Sequence, residues 1–284
     1  MDQLVTPGWL AARLDDPATV VLDCSVRMID LPDGGMRVES GRADYLDSHI
    51  PGAGFADLTG ALRDAESRLA FALPAPGQFA AAMADLGVGD RTRVVLYDRN
   101  GQAWAARVWW MLRWIGHDDA ALLDGGLAAW AAAGGALRGG AETAEARHLT
   151  ARPRPRLMAD RDAVTAALGD PAQRVIDTLP AEIYRGDVQM YARPGHIAGA
   201  EHQPGMDLLD ASGRFLPDAA LAEHLPGDRA ARAITYCGGG ILASLSAFAM
   251  TRVGFEDVAV YIGSLEEWAA DPAAPMETGD PPKS

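Results

Sequence analysis

The sequence predicts an α/β protein of two tandem domains, each a parallel β-sheet flanked by helices. Short apolar runs of strand type alternate with helical segments along the chain, a pattern typical of a parallel sheet covered on both faces. Four landmarks then recur in the same order in both halves, which indicates an internal duplication. The matched pairs are residues 20–23 with 174–177, 49–53 with 196–200, 94–97 with 233–236, and 125–130 with 263–268.

The first half shows this alternation element by element. A helix is predicted over residues 7–14. The continuous apolar run at 20–24 predicts a strand in the centre of a parallel sheet. After a polar, irregular stretch to Ala75, the predicted elements are a helix over 77–86, a strand over 93–97, a helix over 102–115, a strand over 120–123 and a short helix that follows residues 124–126. Gly87 and Gly116 are predicted to end the two longer helices.

The repeat also sets the expected domain boundaries. The N-terminal domain is predicted over residues 1–137 and the C-terminal domain over 157–284. Residues 138–156 are rich in Gly, Ala, Arg and Pro and lack apolar periodicity, so they are predicted to form a linker.

The composition excludes several classes of protein. A net charge of −14 over 284 residues argues against nucleic-acid binding, which requires basic patches. Two cysteines cannot form a disulfide framework, which favours a reducing compartment. Residues 1–14 show no signal peptide, and the chain has no apolar run of about 18 residues, so we expect a cytoplasmic protein without a membrane span.

The candidate catalytic residue is Cys237. It follows a strand-like run, precedes three glycines and an apolar helix-forming segment, and so stands in a strand–loop–helix turn. Such a turn leaves backbone N–H groups unpaired, and these together with the positive end of the helix stabilise a thiolate nucleophile. A buried structural cysteine is the alternative, but the glycines favour the reactive one. The loop predicted to surround the sulfur consists of Gly238, Gly239, Gly240, Ile241, Leu242 and Ala243, and residues 237–243 are called the Cys237 loop below.

The first half provides an internal comparison for this loop. Asp98 stands at the position equivalent to Cys237, after the same type of strand and a tyrosine, and residues 99–102 contain one glycine. A core-filling cysteine would be expected to match a small apolar residue, not an aspartate. The first half is therefore predicted to be a structural or substrate-covering partner without a nucleophile.

Several other residues with reactive or aromatic side chains are predicted to have structural roles. His49 and His196 occupy equivalent positions in both halves, as do Asp23 and Asp177, so they are predicted to stabilise the fold. Cys24 ends a buried strand and is predicted to be inert. Packing is also predicted for the tryptophans of one helix, Trp104, Trp109, Trp110 and Trp114. No metal site or P-loop is predicted, because no Cys-x-x-Cys pair, His-Glu-x-x-His motif or Lys-Ser/Thr ending is present.

Several of these motifs resemble those of tandem-domain rhodanese-like sulfurtransferases, the family of thiosulfate and 3-mercaptopyruvate sulfurtransferases. Residues 49–53 are similar to the N-terminal signature of that family and residues 263–268 to its C-terminal one, while 108–113 and 123–126 resemble its inactive domain. The resemblance extends from about residue 4 to residue 279. It implies two rhodanese-like domains, of which the N-terminal one is catalytically inactive and the C-terminal one carries the catalytic cysteine.

The resemblance also implies an activity. A sulfane sulfur passes from a small donor, thiosulfate or 3-mercaptopyruvate, to Cys237 as a persulfide, and then to a thiophilic acceptor such as cyanide or a thiol. No metal or organic cofactor is implied, and a monomer is expected.

The loop departs from both donor-specific patterns of that family. Gly239 stands where mercaptopyruvate-specific members have the serine of a proposed proton relay, and Thr59 and Phe71 stand at or near the places of its acid and histidine. In thiosulfate-specific members a basic pair follows the cysteine, but here the positions are Gly238 and Gly239. The donor is therefore left open.

A substrate-binding arginine of the family aligns with Ile183. The nearest cations, Arg185 and Arg193, are the candidate substrate-binding residues in its place.

The sequence leaves two other functions open, both less favoured than the sulfurtransferase. A non-catalytic sulfur carrier or binding module that receives a persulfide from a partner protein is the alternative, because the arginine and the serine relay are missing. A cysteine-dependent phosphatase is the least favoured, because it needs an arginine about six residues after the cysteine, where this chain has Ala243.

Overall fold

The first half of the chain forms a five-stranded parallel sheet. The computed structural model describes residues 1–31, 36–225 and 227–280. The strands of the first half are β1 (Leu4–Val5), β2 (Thr19–Asp23), β3 (Val26–Asp30), β4 (Met36–Ser40), β5 (Gly54–Phe55), β6 (Arg93–Tyr97) and β7 (Ala120–Leu123). The sheet has the order β1-β7-β6-β2-β5, and every neighbouring pair is parallel. β3 and β4 form a separate antiparallel pair.

In the described part of the first half, the helices are α1 (Pro7–Ala11), α2 (Arg42–Asp47), α3 (Pro76–Asp85), α4 (Ala103–Trp114) and α5 (Gly126–Ala132). An apolar cluster joins the sheet to α1 and α5 through Leu10, Val95 and Trp130. The helix α4 packs against β6 and β7, and all four of its tryptophans are buried, as predicted.

The second half repeats the architecture. Its strands are β8 (Met158–Ala159), β9 (Gln173–Asp177), β10 (His196–Ile197), β11 (Glu201–His202), β12 (Arg232–Tyr236), β13 (Val258–Tyr261) and β14 (Met276–Glu277). Its helices are α6 (Arg161–Ala167), α7 (Ala181–Tyr184), α8 (Asp218–His224), α9 (Ile241–Arg252) and α10 (Ser264–Trp268), with 3₁₀ turns at Pro155–Leu157 and Gly205–Leu208.

The second sheet has the order β11-β9-β12-β13-β8, again with parallel neighbours, and β10 pairs with β14 outside it. Read from β8, this is the order of the first sheet, with β12 in the central place of β6. The register agrees as well, since Asp23 pairs with Tyr97 and Asp177 with Tyr236. The two sheets confirm the predicted α/β fold and the internal duplication.

Differences from the predicted elements are local. The helix α1 begins after Thr6, whose hydroxyl oxygen accepts the N–H of Trp9, and it ends at Ala11 rather than at residue 14. The antiparallel pair β3–β4 lies where no strand is predicted, since Val26–Asp30 and Met36–Ser40 mix apolar with polar residues and, apart from Val26, are exposed or half-buried.

The structure divides into two compact units. The first contains residues 1–66, 73–154 and 211–215, and the second contains 67–72, 155–210 and 216–284. Part of the predicted linker pairs within the first unit, because Arg138 and His49 exchange backbone hydrogen bonds of 2.8 and 2.9 Å. Among the described helices, none combines the length and the apolar character needed to cross a membrane.

Candidate active site

Cys237 lies at the carboxyl end of β12, the central strand of the second sheet, immediately before the turn into α9. The carboxyl ends of parallel strands are where α/β sheets place their ligands. Gly240 takes the left-handed conformation at the N-terminus of α9, with φ of +81°. Its N–H group consequently points at the cysteine and donates to Sγ at 3.1 Å.

The other N–H groups of the Cys237 loop have no protein acceptors. Within the described part of the chain, no protein hydrogen bond is made by the N–H groups of Gly238, Gly239, Ile241, Leu242 and Ala243. Orphan donors at a helix N-terminus form an anion site, since their partial positive charges add to that of the helix. Cys237 is 3% exposed, so its sulfur is largely shielded from water, and the Gly240 N–H acts on it in a medium of low dielectric constant.

The helix α10 holds the loop in place. The N–H of Cys237 donates to Ser264 Oγ at 3.2 Å, and the Ser264 hydroxyl donates to the carbonyl of Tyr261 at 2.7 Å. The carbonyls of Cys237 and Gly238 accept the N–H groups of Leu265 and Glu266, each at 3.0 Å. The repeated motif at residues 263–268 therefore supports the backbone that carries the sulfur.

The equivalent loop in the first unit already holds an anion of its own. Asp98 Oδ1 accepts the N–H groups of Asn100 and Gln102, each at 2.8 Å, and Oδ2 accepts those of Trp104 and Ala105 at 3.0 and 2.9 Å. Burial raises the pKa of the Asp98 carboxyl, while these N–H groups favour its ionised form. The same strand–loop–helix turn thus binds a carboxylate in one unit and surrounds a thiol in the other.

The side chains of Tyr191, Phe71 and Glu266 lie beside Gly238 and Gly239 of the Cys237 loop. A Cβ atom placed on Gly238 would lie 1.7 Å from Tyr191 Oη, so only glycine fits there with the present packing. A Cβ atom on Gly239 would lie 3.3 Å from a ring carbon of Phe71 and 3.6 Å from Glu266 Oε2. The surroundings of the loop are therefore an aromatic ring, a phenol and a carboxyl group.

Glu266 is half-buried beside the loop. Its Oε1 and Oε2 accept the N–H of Ala70 at 3.0 and 3.1 Å. Burial raises the pKa of this carboxyl, and the Ala70 N–H opposes the shift only in part. Burial also raises the pKa of Tyr191, and the negative charges of Cys237 and Glu266 add to that effect.

The sequence had not singled out Tyr191 or Glu266 as site residues. Glu266 belongs to the repeated motif at 263–268, but a motif that matches in both halves indicates a structural role. Tyr191 lies in a stretch without periodicity, 46 positions before Cys237, and no local pattern connects the two.

The candidate substrate-binding arginines bind protein groups. Four of the five N–H bonds of the Arg193 guanidinium donate to backbone carbonyls, at 2.6 to 3.3 Å, in the turn at residues 268–274. Arg185 donates to the exposed Asp187 at 2.8 Å. The contacts of Arg193 favour an anchoring role, and substrate binding stays a prediction for both residues. Ile183, at the position of the missing arginine, is buried.

The residues predicted to have structural roles lie in environments that agree with those roles. His49 and His196 are buried, each stacks on a tyrosine, and each Nδ1 bonds a tyrosine carbonyl at 2.8 Å. Asp23 and Asp177 accept the N–H groups of Ser25 and Leu179, each at 2.8 Å, which agrees with the predicted holding of loops.

Cys24 is fully buried, and burial raises the pKa of its thiol well above the usual value. That environment agrees with the predicted inertness, because a reactive cysteine must ionise. Over residues 1–31, 36–225 and 227–280, no three His, Cys, Asp or Glu side chains are grouped as a metal site would require.

The family model of the rhodanese-like domain matches the chain twice, over residues 6–133 and 160–271. The chain belongs to the rhodanese family. A probable 3-mercaptopyruvate sulfurtransferase of Pseudomonas aeruginosa is 39% identical over 290 residues, which cover 98% of this chain and 99% of that protein. A putative thiosulfate sulfurtransferase, SseB of Mycobacterium tuberculosis, is 33% identical over 285 residues and 97% of both chains.

The solved structures agree with this membership. The crystal structure of SseA from Escherichia coli, described for the rhodanese fold of 3-mercaptopyruvate sulfotransferases, superposes with a TM-score of 0.81 at 30% identity. The match covers 93% of this chain and 99% of SseA. These comparisons confirm two tandem rhodanese-like domains and the predicted enzyme class, a sulfurtransferase.

Proposed function

We propose that this rhodanese-family sulfurtransferase carries the transferred sulfur as a persulfide on Cys237. The donor is thiosulfate or 3-mercaptopyruvate, and the acceptor is cyanide or a thiol. The observation that carries the proposal is the set of N–H groups in the Cys237 loop: that of Gly240 donates to Sγ at 3.1 Å, and five further N–H groups have no protein acceptor in the described chain.

The chemistry needs this array in both half-reactions. The Cys237 thiolate attacks the outer sulfur of the donor, an S–S bond forms, and the donor's bond to that sulfur breaks with its electron pair leaving on the donor remnant. The product is an anionic persulfide, and fixed N–H dipoles stabilise that charge without reorganisation. The acceptor then attacks the outer sulfur, and Cys237 leaves as the thiolate.

Each part of the loop has a role in this proposal. Gly238, Gly239, Gly240, Ile241, Leu242 and Ala243 supply the N–H groups, and Ser264 positions Cys237 through its backbone. The N-terminal domain is proposed to be catalytically inactive. Support for this comes from Asp98, whose carboxylate occupies the equivalent N–H groups.

Intact-mass measurement tests the proposal directly. Wild type, Cys237→Ser and Cys24→Ser are each incubated with thiosulfate and with 3-mercaptopyruvate. We expect the mass of one sulfur atom to be added to wild type and to Cys24→Ser, and not to Cys237→Ser. A gain that survives in Cys237→Ser, or no gain in wild type with either donor, overturns the proposal. A gain from a protein persulfide alone would establish the carrier instead.

The proposal extends to a cytoplasmic monomer that binds neither nucleic acid nor membrane. The net charge of −14 and the use of only two cysteines support it. Light scattering after gel filtration measures the number of chains per particle, and a particle of two chains would contradict the monomer. Recovery of the protein in the membrane fraction after cell lysis would contradict the cytoplasmic location.

A further inference from the structure

The two possible donors differ in what their leaving groups require. Sulfite leaves thiosulfate as a stable anion. Pyruvate leaves 3-mercaptopyruvate with its electron pair on carbon, and that carbon must take up a proton. An active site for the second donor therefore needs an acid beside the loop, and general acid catalysis of this kind accounts for about 10²–10⁴-fold in rate.

Glu266 is a carboxyl group that lies beside the Cys237 loop. Its Oε2 lies 3.6 Å from the Cβ position of Gly239, and its backbone N–H donates to Gly238 at 3.0 Å, so carboxyl and loop are held together. Burial raises the pKa of the neighbouring Tyr191 phenol, and the negative charges of Cys237, Asp177 and Glu266 add to that effect, so these groups lie near one another. All of them are negative or neutral, and the chain has glycines instead of cations at positions 238 and 239.

We propose that Glu266 is a catalytic acid that protonates the carbon of the leaving pyruvate, which makes a thiol-bearing α-keto acid the preferred donor over thiosulfate. The inference rests on the proposed function and specifies its substrate class. A half-buried carboxyl is suited to the task, since burial raises its pKa and so favours the protonated form. Tyr191, the other hydroxyl-bearing neighbour, is a weaker acid, because burial and the adjacent charges raise its pKa.

The proton balance closes within the site. The Cys237 thiolate attacks the sulfur of HS–CH₂–CO–COO⁻, the new S–S bond forms, and the S–C bond breaks with its electron pair on carbon. The carboxyl of Glu266 gives its proton to that carbon to complete pyruvate. The resulting carboxylate takes the proton of the Cys237–S–SH group, which leaves the persulfide anion in the loop and Glu266 protonated.

Thiosulfate gains nothing from this acid. Sulfite departs without a proton, and the approach of a dianion to Glu266 is unfavourable whenever that group is ionised. The absence of a basic pair at Gly238 and Gly239 acts in the same direction. Removal of the Glu266 charge and proton should therefore slow sulfur transfer from 3-mercaptopyruvate without slowing transfer from thiosulfate.

The test compares wild type, Glu266→Gln and Glu256→Gln with both donors, using cyanide as the acceptor. Glutamine keeps an acceptor for the Ala70 N–H but has no acidic proton. Glu256 is exposed and precedes β13, at the opposite edge of the sheet from Cys237, which follows the parallel strand β12, so its variant controls for loss of one carboxylate. We expect kcat/KM for 3-mercaptopyruvate to fall about 100-fold in Glu266→Gln only, and kcat/KM for thiosulfate to stay level or rise.

The outcomes separate this inference from the proposed function. An equal fall for both donors, or no fall for 3-mercaptopyruvate, overturns the role of Glu266. A wild type that takes sulfur from thiosulfate alone also overturns it, while the persulfide proposal stands. A wild type that takes sulfur from neither donor, as measured by intact mass, overturns both. Persulfide loading of Glu266→Gln by thiosulfate shows that the variant has a folded site.

Discussion

A methyl group added at Gly238 should disrupt the Cys237 loop through one contact. The new Cβ would lie 1.7 Å from Tyr191 Oη, 2.6 Å from Cζ and 3.2 Å from Cε1. Gly238 does not take the left-handed conformation, so backbone strain contributes nothing and the overlap with the phenol is the whole effect. Overpacking of this kind costs about 1–3 kcal/mol. Either the ring or the loop must move, and movement of the loop shifts the N–H groups away from Sγ.

Gly239→Ala is the matched control, since its Cβ would lie at 3.3 and 3.6 Å from its neighbours and requires only a small adjustment. Urea unfolding measures the free energy of unfolding, and intact mass over time measures the rate of sulfur loading. We expect Gly238→Ala to be less stable than Gly239→Ala by about 1–3 kcal/mol and to load sulfur more slowly.

A double-mutant cycle identifies the contact. Tyr191→Ala removes the ring, so Gly238→Ala in that background should lose most of its cost, with a coupling of about 1 kcal/mol or more. Equal stability of the two alanine variants, or additive free energies in the cycle, would refute the assignment of the effect to Tyr191.

Three further predictions follow from contacts elsewhere. Asp98→Ala leaves four buried N–H groups without an acceptor, so urea unfolding should show a free energy of unfolding about 3 kcal/mol lower than that of wild type. Asp98→Asn should lower the free energy of unfolding by less, and equal decreases for the two variants would contradict the prediction. Burial raises the pKa of Asp177 from 3.8 to about 7, so the native state holds a proton that the unfolded state releases between those pH values. The contribution of Asp177 to stability is therefore complete below pH 3.8 and is lost as pH rises to about 7, and Asp177→Asn should flatten that slope in urea titrations; an unchanged slope would contradict it. Arg193→Gln should lower the free energy of unfolding by about 1–3 kcal/mol, because hydrogen bonds to backbone carbonyls are lost. Arg185→Gln should leave the free energy of unfolding unchanged and should raise KM for the donor if Arg185 binds it. An unchanged KM would show that Arg185 does not bind the donor.

Much of the fold is local in origin, and for that reason the sequence predicts it. The apolar runs at Arg93–Tyr97 and Arg232–Tyr236 can only be buried strands, and they are the central strands of the two sheets. The glycines after Cys237 predict the turn into α9, since a left-handed residue such as Gly240 is needed there. The pair β3–β4 has no continuous apolar run and is half-exposed, so no strand is predicted there.

The neighbours of the loop depend on contacts that no local pattern records. Residues 67–72 belong to the second compact unit although they lie in the first half of the chain, and this places Ala70 and Phe71 against Glu266 and Gly239. The sequence identifies Arg193 as a cation. It does not show that the N–H groups of Arg193 donate to backbone carbonyls in the turn at 268–274.

The two copies of the strand–loop–helix turn differ in whether their N–H groups already have acceptors. Both contain a central strand, a loop and a helix N-terminus, and both present N–H groups to the residue that ends the strand. In the first unit that residue is an aspartate, whose two oxygens accept four N–H groups and so use up the site. In the second it is a cysteine, whose single sulfur accepts the Gly240 N–H. The single sulfur leaves N–H groups unused, and the proposed persulfide would add its second sulfur where those groups remain. In the proposed mechanism, the two copies of the turn therefore differ in reactivity because the residue after the strand uses all four N–H groups in one and a single N–H group in the other.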